Sequence, residues 1–387
     1  MKKSKLFLII SALVCSVLAV AVVVIAHTQP KHKHHLGDAK IYHISNDGVH
    51  YTRLCKDGCI ERFDTRISFI DVLSTATEID TIVLDEDITL YSEVLLKSFV
   101  TRDDLPQDIT LNINLDLNNY KLSTEITDFT NKSMFTLNAN YGQINFNIKN
   151  GTLYTDDLLY LFRFENNYSS QPNIKLTFDN VECKVVGDMA TPLATSTDCS
   201  NIIVNATDTK FIASKPYASE TNTGVGALIN SESVFNFNNC YFEGGDAIYV
   251  KRGEVNLNGC TLKNVDLPMQ FNESASIDGK SQYNTYIFTA VGACLSTESY
   301  KNAEGVFSRF SISVIDCEML LGENGSTTMI HVSQTLGEGA SEAGINPESR
   351  INIMSCIFHA DPSLMDYSIV NFANEPEISN GPTWVID

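Results

Sequence analysis

Apolar and polar positions alternate along most of this chain, and the alternation recurs. Eight segments overlay without gaps: residues 115–122, 146–153, 176–183, 204–211, 235–242, 255–262, 312–319 and 351–358. The first, third and eighth positions of every segment are apolar, and the second is always polar. A period of two puts successive side chains on opposite faces, so each segment predicts a strand with one buried face. The fifth position holds Asn119, Asn150, Asn180, Asp208, Asn239, Gly259, Asp316 and Ser355. Most of these residues tolerate a left-handed backbone or bond to their own main chain, so the strand bends there. A second short strand then resumes the buried face.

Strand, bend and strand, repeated, make a coil whose turns stack about 4.8 Å apart and pair in parallel. The step from Phe235 to Val255 is 20 residues, about the minimum for a three-sided circuit. The step from Val255 to Ile312 is 57 residues, close to two turns, which predicts a ninth turn between Thr261 and Ile312. Further short apolar strands at 158–164, 247–250, 329–332 and 368–372 supply another side of the coil.

These segments resemble those of right-handed single-stranded parallel β-helix proteins, the pectate-lyase-like superfamily, over roughly residues 80–387. The stretch 81–90 followed by 115–122 is similar to the opening coils of large bacterial surface proteins of this kind. The expected fold class is all-β, a β-helix solenoid over 81–387. Ile67, Ile70, Val72, Leu73 and Ala76 suit a short helix over 66–80, which in such folds caps the open strand edges at the N-terminal end. Cys240 and Cys260 share one column of neighbouring turns, as do Cys317 and Cys356. Stacked interior thiols fill a ladder as small hydrophobes, whereas parallel side chains one strand apart rarely reach the torsion of a disulfide.

The N-terminus is a different kind of sequence. Lys2, Lys3 and Lys5 precede an uncharged apolar run over 6–26. This pattern predicts a signal peptide or membrane anchor over 1–26, long enough to span a bilayer, with the remainder exported. Cleavage after Ala26 and retention as an anchor are both open. Residues 27–65 concentrate six of the eight histidines and the pair Cys55 and Cys59. They resemble a small His-His-Cys-Cys motif of bacterial cell-surface proteins. The resemblance implies a structural zinc ion on His34, His50, Cys55 and Cys59, the ligand types zinc prefers. His35 is an alternative to His34, and a disulfide between Cys55 and Cys59 is the competing chemistry in an oxidising compartment.

Charge narrows the partners. With 47 acidic against 27 basic residues, the formal charge is −20, which repels phosphate and disfavours nucleic acid. Of 34 asparagines, 33 lie after position 110, in the coil region. Relatives of this fold cleave acidic polysaccharides, which implies a lyase or hydrolase reading. Only a weak cluster fits it: Asp246, Lys251 and Arg252, with the paired carboxylates of a hydrolase absent. Asp157, Asp188, Asp246, Asp266, Glu323 and Asp361 recur five to seven residues after the aligned column. They suit either a Ca²⁺-binding edge or turn residues that start the next strand. The expected role is a non-catalytic cell-surface protein that binds an extracellular glycan or surface protein. A polysaccharide-cleaving enzyme and a structural envelope component are the alternatives.

Overall fold

The computed structural model describes residues 36–45, 48–55, 60–65, 80–102, 105–108, 110–126, 133–139, 142–165, 173–187, 190–196, 199–214, 224–265, 292–300, 308–322, 328–335, 348–360, 368–372 and 383–386. All regular elements among them are β-strands. No helix of the described residues is long and apolar enough to cross a membrane. The expected export segment over 1–26 lies outside the described residues. The expected capping helix over 66–80 does too, apart from Asp80, which opens the strand Asp80–Leu84. The chain divides into two compact units. The first comprises Met1–Asp38 and Arg53–Glu61, and its described residues are the ends of three strands.

The second unit, Ala39–Thr52 with Arg62–Asp387, is a long parallel sheet wound as three ladders visited in the same order on each turn. In the first ladder, Thr110–Asp116 pairs with the opening of Gln143–Thr155, and that with Ile174–Val186. The ladder continues through Ser200–Thr207, Ala227–Asn238, Ile248–Asn258, Phe310–Ile315 and Arg350–Met354 to Thr383–Ile386. The second ladder holds the short strands after the bend, such as Lys210–Ser214, Tyr241–Gly244 and Thr261–Asn264. In the third ladder, Val94, Phe135, Phe162, Leu193, Ala227, Ile248, Leu295, Ile330 and Val370 stack in register. The additional apolar strands read from the sequence at 158–164, 247–250, 329–332 and 368–372 fall on this third ladder.

Every apolar position of the aligned columns is buried except Phe358, which is half-buried against the core at the last turns. Phenylalanines continue the interior from turn to turn, with Phe135 stacked on Phe162 and Phe211 on Phe242. All eight fifth-column residues have positive φ, from Asp208 at 49° to Asn119 at 67°. Asparagine, aspartate and glycine accept this geometry because their short or absent side chains relieve the left-handed clash. The bend is therefore written residue by residue in the sequence.

Two expectations of register fail. Leu115 pairs with Ile148, not Phe146, while Leu122 keeps its expected partner Leu153. The first bend carries two extra residues, and both Asn118 and Asn119 are left-handed there. The ninth turn does not exist on these ladders. Val255 pairs directly with Ile312, and Leu262 with Met319. The long step is one turn with an insertion after Asn264, between the second and third ladders.

Cys183, Cys199, Cys240, Cys260, Cys294, Cys317 and Cys356 are free thiols, as the stacking predicts for Cys240, Cys260, Cys317 and Cys356. The Cys260 amide donates to the Cys317 sulfur at 3.3 Å. Hydrogen bonding to Cys240, together with burial, pushes the Cys260 thiol up to about 12. These groups are therefore protonated filling of the bend interior.

Candidate functional site

Among the described residues, the strand register is interrupted at one corner, where the third ladder runs into the first. Two register shifts fall there, one between Ser200 and Ile203 and one between Asn230 and Val234. Asn201 is left-handed at φ 56° and Gly253 at φ 109°. A side chain at position 253 would bring its Cβ within 2.5 Å of the Ser231 carbonyl, so only glycine passes here. Bulges bend a strand and re-aim its side chains, and they recur beside functional sites. The result is an open groove of about 380 Å³. Its floor is Ile203, Val234 and Gly253, and its rim carries Asn201, Glu232, Glu254, Arg309 and Ser311.

The rim charges are arranged in partnered sets. Arg252 reaches Glu232 at 3.8 Å, and Arg309 reaches Glu348 at 3.2 Å. Glu254 accepts a hydrogen bond from Asn256 at 3.1 Å. From Asn256 a ladder of amides continues across the outer face. Asn256 donates to Asn236 and Asn236 to Asn205, each at 3.0 Å. Earlier turns repeat the device, with Asn145 donating to Asn112 and Asn147 to Asn114. Each amide presents both a donor and an acceptor, so this face can meet hydroxyl-rich ligands without a fixed sign of charge.

The three residues of the sequence-predicted catalytic cluster do different jobs. Asp246 is completely buried, and its carboxylate accepts the Ala293 amide and the Ser296 hydroxyl, both at 2.7 Å. It closes the corner where the coil resumes after the long insertion. Lys251 is held at 2.5 Å by the buried carboxylate of Glu298. Arg252 does not line the groove but pairs with Glu232, which does. Asp157, of the recurrent acidic set, also works as a turn residue. It accepts the Thr124 and Thr155 hydroxyls at 2.6 Å and the Ile126 amide. Asp188, Asp266, Glu323 and Asp361 lie outside the described residues.

The zinc expectation also falls outside them. His34 and Cys59 are not described, and of His50 and Cys55 only the backbone is, within the strand Gly48–Cys55.

A second polar cluster, with no counterpart in the sequence pattern, lies on the outward side of the third ladder. Tyr249, Ser296 and His331 stack there in consecutive turns. Tyr249 is buried with Val225 and Leu228, and its hydroxyl donates to Glu298. Burial, and then the Glu298 charge, push the Tyr249 phenol well above its ordinary range. His331 is 3% exposed, and its Nδ1 has no hydrogen-bond partner among the described residues. Burial holds the imidazole below its ordinary value, against an opposing pull from Glu298. The unfolded chain takes this proton near 6.5 while the folded chain resists it. Stability from this group is complete above that pH and is lost as pH falls through it. The melting temperature is therefore expected to drop on acidification below about 6.5, the ordinary histidine value. A His331→Asn variant should show a shallower drop in the same scan. An unchanged slope would mean that His331 does not carry the effect.

No protein-family model matches this chain, and no curated relative matches it. A solved structure described as L. reuters 100-23 SRRP is similar at a TM-score of 0.33 and 13% identity, covering 82% of this chain and 95% of that one. A score of that size is below what a common fold requires.

Proposed function

We propose that this chain is an exported right-handed parallel β-helix, displayed at the cell surface, that binds an extracellular glycan through the corner groove. The observation that carries the reading is the groove itself: an apolar floor, a rim of carboxylates, guanidinium and hydroxyl, and an amide ladder leading into it. A sugar ring offers one apolar C–H face and a perimeter of hydroxyls, which is the complement of such a surface. Orientation comes from a few placed polar groups around apolar contact. The buried state of Asp246 and the pairing of Lys251 with Glu298 favour binding over cleavage, because neither group faces the groove as an available acid or base. A surface protein partner would use the same face. The same reading keeps a structural zinc on His34, His50, Cys55 and Cys59, since two imidazoles and two thiolates close a tetrahedral shell.

The test is a glycan array followed by titration of the hits. The full chain should bind without releasing product, and Glu254→Ala or Arg309→Ala should each weaken binding about tenfold, the contribution of one hydrogen bond to a charged group. Retained affinity in both variants would place the ligand elsewhere. Release of unsaturated sugars from an acidic polysaccharide would replace the binding reading with a lyase.

A further inference from the structure

Lys251 and Glu298 come from neighbouring strands of the third ladder, Ile248–Asn258 and Ala293–Tyr300, which pair at Val250 and Thr297. The Lys251 Nζ lies 2.5 Å from the Glu298 Oε2, with the two side chains only 13% and 5% exposed. The same carboxylate oxygen accepts the Tyr249 hydroxyl. The Lys251 Nζ stands 5.3 Å from the centre of the Tyr249 ring. Val225 and Leu228 share the buried cluster with Tyr249.

We propose that Lys251 and Glu298 condense into an intramolecular amide bond. Transfer of one proton from the Lys251 ammonium to the Glu298 carboxylate across their 2.5 Å contact gives an amine beside a carboxylic acid. The amine lone pair then forms a C–N bond to the Glu298 carboxyl carbon. The Tyr249 hydroxyl hydrogen-bonds the oxygen on which negative charge develops, as a donor fixed in place before reaction. A second proton passes from nitrogen to the departing oxygen, the C–O bond breaks, and one water leaves. Ammonium plus carboxylate thus become amide plus water, with no oxidant, reductant or further reactant. The two reacting groups are held in contact by stacked strands, so the bimolecular cost of amide formation is removed. Exclusion of water protects the product from hydrolysis.

The location supplies a reason for the bond. Lys251 and Glu298 flank the segment that follows Asn264, which gives the longest sequence step between two paired turns, from Val255 to Ile312. A covalent link here would clip the turn before the insertion to the turn after it.

Mass spectrometry of the full chain is the test. The denatured wild-type protein should be one water lighter than its sequence. Its tryptic digest should contain a branched peptide joining the segments that carry Lys251 and Glu298, and cleavage after Lys251 should be lost. Lys251→Arg and Glu298→Ala should restore the full sequence mass, and Tyr249→Phe should slow the loss of water in freshly made protein. A folded wild-type chain that keeps its full mass and yields linear peptides ending at Lys251 would overturn the proposal. The branched peptide is read from the wild type alone, so a variant that fails to fold leaves that measurement intact.

Discussion

Phe211→Ala is expected to lower stability by about 3–5 kcal/mol, the range for removing a fully buried phenylalanine ring. Phe211 has no exposed surface. Its ring stacks on Phe242 at 5.2 Å and meets Phe178 and Phe237 edge-on at 5.5 and 5.7 Å. Those three rings come from the turn before and the turn after, so the cavity left by alanine would touch several turns at once. In a stacked coil each turn is stabilised by its neighbours, and a defect in the middle weakens both interfaces. Thermal melts of Phe211→Ala beside Lys210→Ala give the comparison. Lys210 is exposed, paired with Glu182 at 3.6 Å, and its loss should change the melting temperature little. Equal effects of the two substitutions would mean that this column is not the dry interior.

Asp246→Ala is the second large effect, and it separates structure from catalysis. The substitution leaves the Ala293 amide and the Ser296 hydroxyl without their buried acceptor. Stranding two buried donors costs about 1–3 kcal/mol each, so a loss of about 2–5 kcal/mol is expected. Asp246→Asn keeps an acceptor oxygen for both donors and should lose much less. Urea unfolding of the two variants measures the difference. Glycan binding at low temperature, where both remain folded, should be unchanged. A variant of wild-type stability that loses an activity would reinstate Asp246 as a functional acid.

The coil was legible because its rules are local. Alternation of Phe235, Asn236 and Phe237 sets which side is buried whatever lies in the next turn. The left-handed bend at Asn180 or Asn239 follows from what that residue's own backbone tolerates. The failures were non-local. The overlay of residues 115–122 on 146–153 missed two extra residues in the bend, because Asn118 and Asn119 are equally suited to positive φ. The step of 57 residues read as two turns because length alone does not tell a turn from an insertion. Strand pairing does, and Val255 meets Ile312 directly.

The candidate site was less legible still. Asp246, Lys251 and Arg252 are close in sequence, and that closeness suggested one cluster. Alternation and the corner send them to a buried turn, a buried ion pair and a pairing with the groove residue Glu232. Gly253 and Asn201 are groove residues with a local signal, since both sit at positive φ, and the 109° of Gly253 admits no ordinary side chain. Glu298 and His331 had none, because each acquires its meaning from a residue one turn away.

The amino-acid sequence by itself determined the strand faces, the bends and the parallel stacking, since these depend on side-chain polarity and on backbone freedom at single residues. Only the tertiary structure decided the register across insertions, the bulged groove and the meeting of Lys251 with Glu298. Those features depend on which residues from separate turns become neighbours, and a distance along the chain does not encode a distance across the stack.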